Sequence, residues 1–217
     1  NVSFEAIAAG KKLGDEVIGL LVGDKVADLA SELIAYGADR VITVEHPNLA
    51  HYTSDGYSQA VLAVVEQESP SAIVFGHTAV GKDLSPKVAS RLQIGLVSDV
   101  TAIEGEGADA VFVRPIYSGK AFEKVKIAEG TVFVSIRPNN IDPLAKDAGR
   151  SGDVSSVSVD VQNLRSIIKE VVRKSTDGVD LSEAKVVVSG GRGVKSEEGF
   201  APLKELAVLL GGAVGAS

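Results

Sequence analysis

The chain contains no cysteine, no methionine and no tryptophan. Without cysteine it has no disulfides, no thiolate metal ligands and no cysteine nucleophile, a composition that fits a reducing compartment. A sequence that lacks methionine, opens on Asn1-Val2-Ser3 and stops at Ala216-Ser217 is expected to be a piece of something longer. Histidine is scarce: His46, His51 and His77 stand apart with no i, i+4 pair, which gives no metal-site spacing. No apolar run reaches 18 residues, so membrane insertion is not expected, and no basic segment leads into an apolar one as in a signal peptide. Positive charge is also short, with 22 Lys and Arg against 29 Asp and Glu for a net charge of −7. Nucleic-acid binding, which needs clustered cations against phosphate, is therefore not expected.

What remains is an ordinary globular composition, 45% hydrophobic and 24% charged over 217 residues. That length allows one large domain and a fraction of another. Helical and extended patterns alternate through the first hundred residues. Phe4, Ile7, Ala8 and Leu13 mark a helix that Gly14 ends, and Val17 to Val22 reads as a buried strand. Val26 to Ile34 carries a helical stripe closed by Gly37, and Arg40 to Val44 is the next strand. Tyr57 to Val65 is a predicted helix, Ala72 to Phe75 a strand, and Asp83 to Leu92 a helix whose Pro86 belongs in its early turns. This rhythm predicts an α/β fold with a mainly parallel sheet covered by helices.

Beyond Val100, Thr101–Ile103, Ala110–Val113, Ala121–Ile127 and Thr131–Ile136 read as short strands between Gly-rich turns, expected to be antiparallel additions. Pro138 to Gly152 breaks the pattern, and Val154, Val157, Val159 and Val161 alternate as an edge strand would. Arg165 to Ser175 fits either a strand or a helix. A new unit starts at Ala184: a strand at Lys185–Val188, a glycine turn, a helix at Pro202–Leu210 and a strand from Ala213 to Ser217. The expected domains are residues 1–183 and a truncated βαβ start at residues 184–217.

Two glycine-rich turns are the sharpest motifs. Gly76-His77-Thr78-Ala79-Val80-Gly81-Lys82-Asp83 matches the P-loop spacing, but Asp83 stands where a Mg²⁺-binding hydroxyl is needed. The preferred reading is a plain turn with Asp83 capping the next helix. A P-loop-like nucleotide-binding protein centred on Gly76–Asp83 is the alternative function. Ser189-Gly190-Gly191-Arg192-Gly193 follows a strand, where backbone amides and the start of a following helix favour a pyrophosphate. Arg192 adds a guanidinium able to fork onto phosphate, although a solvated surface arginine fits the spacing equally well. The third glycine of the dinucleotide fingerprint is replaced by Ser196. Arg114-Pro115 and Arg137-Pro138 each place an arginine near a strand end, where proline terminates the strand and the arginine meets the sheet rim. No Ser-His-Asp set or pair of acid/base carboxylates follows from spacing.

The motif series Gly76-His77-Thr78-Ala79-x-Gly81-Lys82-Asp83-Leu84-x-Pro86-Lys87-Val88-Ala89 and Gly95-Leu96-Val97-Ser98-Asp99-Val100 resembles the alpha subunit of electron transfer flavoprotein. So do Arg114-Pro115-Ile116-Tyr117-Ser118-Gly119-Lys120-Ala121 and the run from Val186-Val187-Val188-Ser189-Gly190-Gly191-Arg192-Gly193 to Ala213-Val214-Gly215-Ala216-Ser217. The resemblance spans essentially the whole chain. It implies an N-terminal α/β domain that packs on a beta subunit, followed by the opening of an FAD-binding domain. It also implies an electron carrier, not an enzyme, that takes electrons from dehydrogenases such as acyl-CoA dehydrogenases and passes them to a membrane quinone oxidoreductase. By the same resemblance the family's FAD contacts fall on Arg192 and Ser217. The location would be cytoplasmic in a bacterium and the matrix in a mitochondrion. The family continues past the Ser217 position with an arginine and further flavin-contacting loops, and begins ahead of Asn1 with a strand. Those segments are not in this sequence, so this piece alone is expected to hold FAD weakly.

Overall fold

The computed structural model describes residues 1–162, 164, 165, 168, 181 and 184–216. These fall into two compact units, the first running from Asn1 to Ile168 and the second from Lys169 to Ser217. The expected junction between residues 183 and 184, and most of the stretch 165–175, border on or lie outside the described residues.

The first unit opens with α1 (Val2–Leu13), which buries Ile7, Ala8, Ala9 and Leu13 and carries Lys11 and Lys12 in its last turn, at the negative end of its dipole. Strand β1 (Ile18–Gly23) is joined by α2 (Ala30–Ala35) to β2 (Arg40–Glu45), and the two strands pair in parallel. The turn between α2 and β2 runs through Gly37 at φ 112°, a backbone that glycine adopts without a Cβ penalty. Helix α3 (Ser54–Glu68) is capped by the Thr53 hydroxyl, which accepts from the Gly56 N–H. It leads to β3 (Ala72–Gly76), α4 (Ala79–Leu92) and β4 (Val97–Val100). An antiparallel meander of β5 (Ala102–Glu104), β6 (Val111–Ile116) and β7 (Ala121–Val125) comes next. Then β8 (Val132–Ile136) returns and inserts, parallel to both, between β3 and β4. Finally β9 (Asp153–Ser156) pairs in parallel with the outer side of β2; an edge strand is present as expected, but it holds only Val154 of the four alternating valines and ends before Val157.

Several expectations are corrected. The stretch 131–136 is not an antiparallel addition. It is the middle strand of a parallel sheet, and its continuous apolar run (Phe133, Val134 and Ile136, all 0% exposed) is what burial on both faces demands. Helix α4 begins at Ala79 and not at Asp83, because Thr78 is its N-cap, its hydroxyl accepting from the Gly81 N–H. Pro86 therefore lies in the helix interior, where its missing N–H leaves the Lys82 carbonyl without an i+4 donor. Pro115 does not end its strand either: β6 continues to Ile116, and Pro115 pairs with Phe122 beyond the end of the short β5, where no ladder bond is required of its nitrogen.

Helices cover both faces of the parallel strands. On β8, Val134 and Ile136 pack with Ala9 and Leu13 of α1 and with Phe112, while Phe133 faces Val61, Leu84 and Val88 of α3 and α4. Glu5 is buried and accepts a hydrogen bond from the Asn139 N–H at 2.8 Å, tying α1 to the segment after β8. Among the described residues β1 pairs only with β2, and β3 only with β8. Their free edges line a largely apolar cleft of about 730 Å³, floored by residues of α1 and α3. A single parallel strand laid there would join the two three-stranded halves into one sheet.

The second unit is one βαβ: β10 (Val187–Gly190), α5 (Ala201–Leu209) and β11 (Ala213–Ala216), with β10 and β11 parallel and their ends level at Gly190 and Ala216. Gly190 is fixed by packing, since a Cβ there would approach Leu203, Val194 and Phe200 to 2.6–2.9 Å.

The central position of β8 makes Phe133 a test of the fold. Phe133→Ala is expected to cost about 3–5 kcal/mol, read as a fall in the urea midpoint with the slope unchanged. A loss below about 1 kcal/mol would show that this face of the sheet is not closely packed.

Candidate functional site

The glycine turn of the second unit lies outside the carboxyl ends of β10 and β11, where parallel α/β sheets bind ligands. Residues 192–194 form a single 3₁₀ turn closed by Val194 N–H to the Gly191 carbonyl at 2.9 Å. Arg192 is exposed, and a Cβ added at Gly193 would meet nothing within 4 Å. The turn is thus packed beneath, at Gly190, and open above, at Arg192 and Gly193. The Arg192 guanidinium is therefore accessible at the carboxyl end of the parallel pair. The expected helix contribution is corrected. Residues 195–200, including a second 3₁₀ turn at 198–200, separate the glycine turn from α5, so the dipole of that helix does not begin at the turn. Ser217, the other expected contact, comes after Ala216 in sequence and is outside the described residues.

The P-loop spacing does not form a phosphate cradle. The helix starts within three residues of Gly76, the Lys82 N–H already bonds the Thr78 carbonyl, and a Cβ on Gly81 would fall 1.8 Å from the Gly76 oxygen. Asp83, expected as a cap, instead accepts from the Tyr52 hydroxyl at 2.6 Å. Burial and that acceptor raise the Tyr52 pKa above its ordinary value.

The same strand end does carry a cluster that spacing did not reveal. His77 comes directly after β3, Ser135 lies in β8, Asp99 in β4, and Arg137 directly after β8. The insertion of β8 between the other two strands brings them together. His77 Nδ1 is 3.0 Å from Ser135 Oγ, which also accepts from the Asp99 N–H at 3.3 Å. With the Ser135 hydroxyl donating to Nδ1, the ring proton sits on Nε2, 3.7 Å from Asp99 Oδ1. The Arg137 guanidinium grips Asp99 bidentately, Nε to Oδ1 at 2.8 Å and Nη2 to Oδ2 at 2.6 Å. That pair holds the Asp99 carboxyl below the usual carboxylate range. Asp99 also adopts φ 64° at an irregularity in the β4–β8 register. A Ser-His-Asp set is therefore present, assembled by long-range strand pairing that no sequence spacing reveals. Ser135 is 0% exposed, so its hydroxyl has no route to a substrate and serves as a bridge in the sheet.

Arg114 and Arg137, expected separately at the sheet rim, line one pocket of about 460 Å³ with Asp99 and the β6–β7 turn. His46, in contrast, is local: its Nδ1 accepts from the Asn48 N–H and caps a 3₁₀ turn. Among the described residues no group of three His, Cys, Asp or Glu side chains is placed to hold a metal, and no helix is long and apolar enough to cross a membrane.

Two family models match this chain: an electron transfer flavoprotein domain over residues 1–162 and an electron transfer flavoprotein FAD-binding domain over residues 180–217. The electron transfer flavoprotein subunit alpha of Bacillus subtilis (strain 168) is 59% identical over the whole chain, which spans 67% of that relative. The subunit of the same name from Syntrophomonas wolfei is 38% identical, again over the whole chain and 68% of the relative. The lactate dehydrogenase (NAD(+),ferredoxin) subunit LctC of Acetobacterium woodii is 34% identical over 98% of the chain and 53% of its own length.

His77 supplies a prediction. Burial is the main force holding its pKa below 6.5; nearby Lys82, Arg137 and Arg114 push the same way, and Asp99 opposes them. The folded state then binds this proton less readily than the unfolded chain. The contribution is complete above the unfolded value of about 6.5 and is lost as pH falls through the lower folded value. Urea unfolding of the native chain is expected to show stability declining from pH 6.5 to pH 5 more steeply than in His77→Gln. Equal slopes would mean that this ring titrates as it does in water.

Proposed function

The chain belongs to the electron transfer flavoprotein family as an alpha-subunit member, and from that premise we propose that it holds FAD at the glycine turn of its second unit and works in complex with a beta subunit. Its role is electron transfer and not conversion of a substrate. The observation that carries the flavin reading is the turn itself, with Arg192 exposed beside the open Gly193 at the level carboxyl ends of β10 and β11. Bound FAD would supply the redox chemistry, accepting and releasing electrons.

The residues of this chain bind and tune. The Arg192 guanidinium offers a fixed fork of donors to a pyrophosphate oxygen or to an electron-rich edge of the ring system, and as a cation it favours added negative charge. Ser217, which follows Ala216 in sequence, is proposed as a second contact through its hydroxyl. Gly190 lets the second unit close beneath the turn. The first unit, with its covered parallel strands, is the part proposed to pack on the beta subunit. The proposed donors are dehydrogenases such as acyl-CoA dehydrogenases, and the proposed acceptor is a membrane quinone oxidoreductase. The relative from Acetobacterium woodii, named as a subunit of a lactate dehydrogenase, supports a dehydrogenase as donor. A cytoplasmic location in a bacterium accords with these bacterial relatives.

Replacing Arg192 tests the assignment. Loss of one charge-assisted contact, about 1.5–3 kcal/mol, predicts that Arg192→Ala in complex with the beta subunit weakens FAD retention by roughly ten- to a hundredfold. The readout is the flavin absorbance that remains after gel filtration, and Arg192→Lys is expected to recover part of the loss. Unchanged flavin content and unchanged reduction potential would remove Arg192 from the site.

A further inference from the structure

The pocket between the β6–β7 turn and the carboxyl ends of β4 and β8 is built wholly from residues of the first unit. Its volume is about 460 Å³, and its charged lining consists of Arg114, Arg137 and Asp99. Asp99 is already committed, because both of its oxygens are held by the Arg137 fork. Arg137 keeps further N–H donors beyond the two used on Asp99, and its side chain is 44% exposed.

Arg114 is the unexplained group. Its Nε is buried and has no hydrogen-bond partner among the described residues. The nearest carboxylate oxygen, Glu123 Oε2, stands 3.9 Å from that nitrogen, beyond hydrogen-bond reach, on a half-exposed side chain. A buried, unsatisfied guanidinium donor is costly in a folded protein and calls for an acceptor.

The third wall is the turn itself. Tyr117, Ser118 and Gly119 succeed one another at φ 51°, 57° and 83°, all in the left-handed region, although two of them carry side chains. Strain of this kind persists where the surroundings impose it and collects at ligand-binding sites. This turn lies outside the β6–β7 ladder, which ends at the Ile116–Ala121 pair, so its amides are not ladder donors. Tyr117 stands 78% exposed in it. The pocket as a whole sits outside the carboxyl ends of parallel strands, the favoured ligand position of an α/β sheet.

We propose that this pocket is an oxyanion site: Arg114 and the free donors of Arg137 hold a phosphate or carboxylate group, and the amides of the Tyr117–Gly119 turn close over it. The two sources of such a group, a phosphorylated small molecule and a carboxylic acid, share this chemistry and separate by titration. Nitrogen-15 NMR of the chain is followed while inorganic phosphate or succinate replaces chloride at constant ionic strength. Saturable shifts are expected at the Tyr117–Gly119 amides and at the Arg114 Nε–H. Saturation by phosphate alone assigns the phosphate source, and saturation by both admits carboxylates. Arg114→Gln, with the rest of its spectrum preserved, is expected to weaken binding at least tenfold. Glu123→Gln removes the nearest competing charge and is expected to tighten it severalfold, while Arg192→Gln leaves it unchanged. Shifts that drift without saturating, shifts centred on residues 191–193, or Arg114→Gln binding as tightly as the native chain would each overturn the proposal.

Discussion

The insertion of β8 between β3 and β4 is the constraint on which the first unit depends. A strand in that position pairs on both edges and is covered on both faces, so each of its residues is committed. Phe133 faces α3 and α4, Val134 and Ile136 face α1, and Ser135 bridges to the neighbouring strands. The return of β8 also fixes where Arg137 emerges, one residue past the sheet and within reach of Asp99 on β4. The antiparallel meander is held at that end by the same route, because β6 runs from the core residue Phe112 to Arg114 and the β6–β7 turn. Packing and site geometry have one cause here.

The electrostatics derive from that placement. A carboxylate at φ 64° on an irregular strand end would be a strained, mobile group if it stood alone. Bidentate pairing with Arg137 fixes it, and the Asp99 N–H bond to Ser135 fixes its backbone. His77 then sits between a buried hydroxyl and an already neutralised carboxylate, with three cationic side chains nearby. Desolvation outweighs the attraction of Asp99, and the ring stays neutral near pH 7. The Ser135, His77 and Asp99 triad is therefore a structural chain of hydrogen bonds. A nucleophilic serine needs an open approach, and Ser135 has none.

Much of this is legible in the sequence, and the rest is hidden for physical reasons. Hydrophobic period and glycine placement locate α1, β1, β2, α3 and β3 because local signals decide those elements. The motif resemblance identifies the family, and the matches over residues 1–162 and 180–217 bear it out. The topology of residues 131–136 is not legible: whether a short apolar run joins a meander or returns to a parallel sheet depends on partners about 60 residues away. The same long-range pairing hides the Ser135–His77 contact, which spans 58 positions. Thr78 and Asp83 are both capping types, so spacing alone does not choose between them; the close approach of Gly81 to the Gly76 carbonyl does. At Arg192, spacing indicates only a turn and a charge. The structure adds that the turn is packed at Gly190 and open to solvent at Gly193.

The two units place cations at strand carboxyl ends in different ways, and the difference bears on what each can do. At the glycine turn, Arg192 is exposed on a short 3₁₀ turn, so the neighbourhood of the cofactor it is proposed to hold would be set by other segments as well. A cofactor proposed to bind there would be open to tuning by a partner surface, which suits electron transfer. In the first unit, Arg137 is braced by the Asp99 carboxylate at a sheet end, and Arg114 lines the same pocket beside the strained turn. Rigid placement of that kind favours selective binding over adaptable docking, because little ordering remains to be done when a ligand arrives.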